Sequence, residues 1–156
     1  VLRFFKKKYL DYKRKNRSYK KRLLQIQDEM LKSKGQVDLP VIHHFGHNCY
    51  ARELFIPEGM LVMGKTHKTN TINILVQGEI SVWDGVSGLK KVKAPFIYTA
   101  NKGEKKMGYT HTDTIWVNVI GTTLKDHEKI EKKYTLDVKQ EKEELKFKEA
   151  LKCLLQ

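Results

Sequence analysis

Residues 57–85 read PEGMLVMGKTHKTNTINILVQGEISVWDG. The turn signals Pro57-Glu58-Gly59, Gly78 and Asp84-Gly85 set off three short runs, LVMGKTH (61–67), TINILVQ (71–77) and EISVW (79–83). Successive side chains of a strand point to opposite faces, so alternation is what a strand with one buried and one wet face needs. The pattern continues outward through CYARELFI (49–56), FIYTA (96–100), KKMGYTH (105–111) and TIWVNVI (114–120). Gly88, Asn101-Lys102-Gly103 and Thr112-Asp113 supply the remaining turns. Many short strands at this spacing predict an all-β sandwich or barrel over residues 37–122.

The flanks change period. Leu2, Phe5, Tyr9 and Tyr12, then Tyr19, Leu23, Ile26 and Met30, recur at helical spacing, and Gly35 is a natural stop. Residues 1–36 are therefore expected to be a helical extension. Its centre, KRKNRSYKKR (13–22), must be solvated, bent or laid against something acidic. Residues 123–156 return to helix, in LKDHEKIEKKY (124–134) and KQEKEELKFKEALKCLLQ (139–156). The second of these puts Phe147, Ala150, Leu151, Leu154 and Leu155 on one side. That face needs a partner in the barrel, the N-terminal helix or another subunit, so a homo-oligomer or larger assembly is expected.

Charge is distributed unevenly. The chain has 156 residues and a net charge of +13, and residues 1–34 alone carry 13 Lys/Arg against 3 Asp/Glu. Such a segment suits a polyanion or an acidic surface. Its candidate contacts are Lys6, Lys7, Lys8, Lys13, Arg14, Lys15, Arg17, Lys20, Lys21 and Arg22. A basic amphipathic helix could also lie on a membrane, but 13–22 is too polar for a continuous apolar face. Cys49 and Cys153 form no CxxC and read as cytosolic thiols. No apolar run reaches the length of a membrane span, and the basic N-terminus lacks a signal peptide's apolar core. The chain starts at Val1, so at least an initiator residue is expected to precede it.

Gly59, five residues, Lys65-Thr66-His67, three residues, Thr71, six residues and Gly78 resemble the first motif of the cupin superfamily. That motif runs Gly, five residues, His-x-His, three or four residues, Glu, six residues, Gly. The resemblance implies a mainly-β fold, a small cupin-type jelly-roll barrel. In metal-binding cupins the first motif supplies two His and a Glu, and a second motif supplies another His. The corresponding residues here are Lys65, His67, Thr71 and Lys106, so only His67 matches. A protonated lysine has no lone pair for a metal, and no metal or other cofactor is expected. His111 could restore a ligand, but it lies five residues after Lys106 on one predicted strand and should face the other way. The cluster HHFGH (43–47) has no Cys or carboxylate and reads as an exposed strand end.

Alternation groups Lys65, His67, Thr71 and Asn73 on one inner face, with Lys106 approaching from across the barrel. That set suits a carboxylate, phosphate or sugar, or it satisfies itself and some buried water. No Ser-His-Asp context, GxGxxG or P-loop occurs, and Trp83 and Trp116 read as core or interface aromatics. The run HHFGHNCYARELFIPEGMLVMGKTHKTNTINILVQGEISV (43–82), then KAPF (93–96) and KKMGYTHTDTIWVNV (105–119), followed by an acidic-basic helix, is also similar to small cupin-like proteins of tailed bacteriophages, over about residues 25–132. This implies a virion or host-cytoplasm setting. The leading expectation is a non-enzymatic binding or assembly module whose residues 1–34 engage nucleic acid or an acidic phage protein. The alternative is a small cupin enzyme, similar to sugar-nucleotide epimerases and isomerases or with an atypical metal. His67 would be its base and Tyr109 its proton donor.

Overall fold

Two antiparallel sheets enclose the interior of the computed structural model, which describes residues 18–84 and 88–154. Residues 18–32 form helix α1. The strands are β1 (Val41–Gly46), β2 (Cys49–Ile56), β3 (Leu61–Met63), β4 (Thr66–His67), β5 (Thr71–Gln77) and β6 (Glu79–Trp83), then β7 (Leu89–Lys93), β8 (Phe96–Ala100), β9 (Met107–Thr110) and β10 (Thr114–Gly121). Helix α2 (His127–Tyr134), the short strand β11 (Thr135–Leu136) and helix α3 (Val138–Leu154) follow. One sheet has the order β1-β2-β10-β5-β8 and the other β3-β9-β6-β7, while β11 pairs with β4. The expected strands form, in a five-stranded and a four-stranded sheet beside the two-stranded β4–β11 ribbon.

The structure departs from the sequence reading at three places. The run 61–67 is two strands, because the chain changes partner at Gly64-Lys65: β3 pairs with β9 and β4 with β11. The lysine-rich run 89–93 is a strand, held by its register on β6, with Val92 opposite Ile80. Residues 135–136, expected inside a helical segment, extend to pair with Thr66 and His67.

The helices are fixed by their ends and by a few buried residues. Asp126 caps α2, accepting from the Glu128 and Lys129 amides at 3.0 and 3.2 Å and satisfying two of the helix's free N-terminal donors. Ile130 on α2 is 1% exposed and packs with Tyr50 and Ile120, contributing roughly 1.5–3 kcal/mol. At the end of α1 the Gln36 side chain donates to the Leu31 carbonyl at 2.7 Å. Leu23 and Leu24 of α1 are buried, and Tyr19 meets the Trp83 ring edge-on at 5.5 Å. Lys21 pairs with Glu149 at 3.6 Å and Lys142 with Asp28 at 2.7 Å. Rising numbers on α1 thus meet falling numbers on α3, so the two helices run antiparallel. Of the apolar stripe expected on α3, Leu155 lies outside the described residues, and Phe147 and Leu154 are not covered within the chain, being 65% and 82% exposed.

Candidate functional site

Strand register builds the site. His43, Arg52, Asn118, Asn73 and Tyr98 are successive cross-strand partners on β1, β2, β10, β5 and β8. They make one polar row across the inner face of the five-stranded sheet. The neighbouring row, Val41, Leu54, Trp116, Leu75 and Phe96, is apolar. Phe45, Tyr50 and Ile120 flank the polar row on its other side. Val62, Ile80, Val82 and Gly108 of the second sheet complete the walls of a cavity of about 870 Å³. Gln27 and Met30 of α1, and Ile130 and Glu131 of α2, also line it. That volume and that mostly apolar wall suit a small organic ligand.

The polar groups are only partly satisfied. Asn73 Oδ1 accepts from Trp116 Nε1 at 3.3 Å and from Asn118 Nδ2. Lys106 pairs with Glu104 at 3.1 Å and sits 4.4 Å from the centre of the Tyr98 ring. Burial pulls the Lys106 ammonium below the usual lysine range, against the pull of Glu104. Arg52 lines the cavity and has no ion-pair or hydrogen-bond partner among the described residues. His67 is positioned by backbone bonds: its carbonyl accepts from Gly103 at 2.9 Å, and its neighbour Lys68 donates to the Tyr134 carbonyl at 2.7 Å. Its Nδ1 is buried without a partner, as is the Tyr98 hydroxyl. Burial, then Lys106 and Arg52, push the His67 imidazole down to about 4, so it is neutral at pH 7. Burial raises the Tyr98 phenol well above its ordinary value, helped by Glu104 and Asp84, so it stays protonated.

Of the pocket expected from sequence, Lys65, His67, Asn73 and Lys106 do line the cavity. Thr71 does not. It is 2% exposed, and its hydroxyl lies 3.4 Å from Asn73 Nδ2, which places it beneath the wall. Lys65 is exposed and engages Glu131 of α2. Thr71 shares the inward side of β5 with Asn73 but lies outside the lining. Arg52, Asn118 and His43 escaped the sequence reading. The signal for Arg52 was its place between Tyr50 and Leu54 on the inward side of CYARELFI.

A metal does not fit these residues. At the four cupin ligand positions, Lys106 is an ammonium held by Glu104, Lys65 is turned to Glu131, Thr71 is walled off, and His67 stands alone. Among the described residues no three His, Cys, Asp or Glu side chains gather as a ligand set. His111 does not line the cavity. Its Nε2 lies 2.7 Å from Ser81 Oγ and its ring 5.3 Å from that of Tyr109. Tyr109 is 45% exposed and also outside the lining, so the expected base and proton-donor pair of His67 and Tyr109 is not brought together. In HHFGH, His47 lies in the turn after β1 and is exposed, as expected of a strand end. His43 instead points inward, with Nδ1 at 2.7 Å from the Tyr50 hydroxyl and its ring stacked 4.1 Å from His127.

Of the expected basic contacts, Lys6, Lys7, Lys8, Lys13, Arg14, Lys15 and Arg17 lie outside the described residues. Lys20 is half-buried, its ammonium lowered by burial with Glu141 opposing, and Lys21 is paired with Glu149. Lys21 thereby serves the contact of α1 with α3. Arg22 remains exposed.

No protein-family profile matches this chain, and no curated protein matches it. Solved structures do. Ectoine synthase from P. lautus superposes with a TM-score of 0.52 at 14% identity, over 70% of this chain and 84% of that one. A cupin superfamily protein from Desulfitobacterium hafniense gives 0.46 at 8% identity, over 58% and 83%. A putative ethanolamine utilization protein from Salmonella typhimurium gives 0.47 at 14%, over 56% and 72%. At these identities the likeness is one of fold alone: the chain has a mainly-β, cupin-like fold. No helix among the described residues is long and apolar enough to cross a membrane.

Proposed function

We propose that this chain is a non-enzymatic binding module whose cavity holds a small amphipathic carboxylate. The observation that carries this reading is Arg52, a guanidinium with no ion-pair partner among the described residues, set in the wall of a largely apolar cavity. Arg52 is half-buried in that wall, and a ligand carboxylate would meet it with charge-assisted hydrogen bonds. His67 Nδ1 and the second amide hydrogen of Asn118, whose first goes to Asn73, line the same cavity and would be further donors to the head group. Leu54, Ile56, Val62 and Ile80 would hold an aliphatic tail. Against catalysis, His67 lacks a carboxylate to orient it and Tyr109 is elsewhere.

Calorimetric titration with octanoate, and with octanol as its neutral analogue, tests the reading. Octanoate is expected to bind more tightly than octanol, and Arg52→Met to weaken octanoate roughly ten- to a hundredfold. Equal affinity for the two probes, or an Arg52→Met protein that binds octanoate unchanged, would overturn it.

A second role is favoured by the 13 Lys/Arg of residues 1–34. In this reading the N-terminal segment engages nucleic acid, or an acidic phage protein in assembly, in the virion or the host cytoplasm. Duplex DNA binding is then expected to fall with salt at a log–log slope of about −0.9 per phosphate contacted. Replacing Lys6, Lys7, Lys8, Lys13, Arg14, Lys15 and Arg17 by Gln should remove most of that slope. Binding that is indifferent to salt, or to those replacements, contradicts it.

A further inference from the structure

The outer face of the five-stranded sheet is apolar where an outer face should be wet. By register, Ile42, Glu53, Val117, Ile74 and Ile97 form one outward row across all five strands. His44, Ala51, Val119, Ile72 and Thr99 form the next. None of these residues is buried: Ile97 is 65%, Ile42 55% and Ile72 45% exposed. On β5 and β10 the usual pattern is weakened. Thr71, Asn73, Thr114 and Asn118 face in beside Leu75, Trp116 and Ile120, while only isoleucines and valines face out. A one-sided sheet normally does the reverse, and a contiguous exposed apolar face of this kind marks an interface.

The charge on the face points to its occupant. The chain carries +13, yet neither row holds a lysine or arginine. The one acidic residue, Glu53, is engaged by His44 Nε2 at 2.8 Å. An acidic partner would find nothing to pair with, whereas two copies of this cationic chain could approach here without opposing charges. The area is also adequate. Five strands ~4.8 Å apart and ~20 Å long give about 500 Å² per copy and about 1,000 Å² over two. That reaches the lower bound for a specific interface, about 1,000 Å².

We propose that a second copy of the chain docks face to face on this sheet, stacking two five-stranded sheets in an aligned sandwich. The dimer is independent of what the cavity binds. Sedimentation equilibrium tests it, with far-UV circular dichroism to follow folding. The intact chain is expected at twice its chain mass. Ile72→Lys with Ile97→Lys, and Ile97→Lys alone, place cations on exposed positions of the face. The pair should weaken association roughly a hundredfold or more, with unchanged dichroism. Leu89→Lys makes the same change on β7 of the other sheet, where Leu89 is 72% exposed, and should leave the dimer intact. A monomeric intact chain, or face variants that dimerise as well as Leu89→Lys, overturns the proposal. So does a chain that dimerises only once residues 1–17 are removed, because its own N-terminal segment would then be the occupant.

Discussion

Glu141→Ala is expected to destabilise the fold by about 3–5 kcal/mol, read as a shift in the urea midpoint at constant slope. Glu141 is 1% exposed on α3 and accepts two bonds from Lys105 Nζ, at 2.8 and 3.1 Å, and one from the Thr66 hydroxyl. Lys105 is 3% exposed, and its ammonium also donates to the Gly64 carbonyl at 3.2 Å. Burial pulls Lys105 below its ordinary value, and the bond to Glu141 opposes that. Removing the carboxylate leaves an ammonium buried with only a carbonyl and a distant Lys20 beside it. The effect comes from breaking the pair rather than from the pair being strongly favourable. Lys105→Met with Glu141→Leu should therefore recover most of the loss. A double variant as unstable as Glu141→Ala would show that packing, not the orphaned charge, sets the cost. The pair matters for the site because it ties α3 to β4, whose second residue is His67.

Gly78→Ala is expected to cost about 2–5 kcal/mol, combining left-handed backbone strain with a backbone clash. Gly78 joins β5 to β6 at φ +94°, and an added Cβ would lie 2.5 Å from the Asp113 carbonyl oxygen and 2.9 Å from Thr114 Cα. Neither atom can swing aside as a side chain could. Gly59 makes the control. Its φ is +76°, but nothing lies within 4 Å of an added Cβ, so Gly59→Ala should show only the strain, about 1–2 kcal/mol. Urea unfolding of the two variants side by side separates strain from collision. Equal costs would mean that the close approach at Gly78 does not constrain the turn.

Much of the fold is legible in the sequence because alternation and turn residues act locally. TINILVQ and TIWVNVI become β5 and β10, and the turns at Gly59, Gly78 and Gly103 all take positive φ. What local pattern cannot show is which strand pairs with which. The break at Gly64-Lys65 arises because β4 leaves the sheet of β3 to pair with β11, a partner about seventy residues away. The same change of partner turns Lys65 to Glu131. The run LKKVK is a strand because β6 lies beside it, not because its own residues favour one.

The site was legible at His67, Asn73 and Lys106, whose inward placement follows from spacing. Arg52 was not, because a single arginine in an alternating run reads as a surface residue. Only the register of β1, β2, β10, β5 and β8 aligns it with His43, Asn118, Asn73 and Tyr98. Register also shows which side of TINILVQ faces in: the mixed set Thr71, Asn73 and Leu75 is inward, and the isoleucines and valine are outward. That single fact gives the cavity its polar row and the outer face its apolar one.

The measurement closest to the central claim is the nitrogen NMR spectrum of the His67 ring during a titration with octanoate. His67 Nδ1 is buried and unpaired in the cavity that Arg52 also lines. Its resonance is expected to move in proportion to the bound fraction, as the nitrogen gains a carboxylate partner. The shift should vanish in Arg52→Met. Octanoate that saturates the protein while the His67 ring stays unmoved would contradict it.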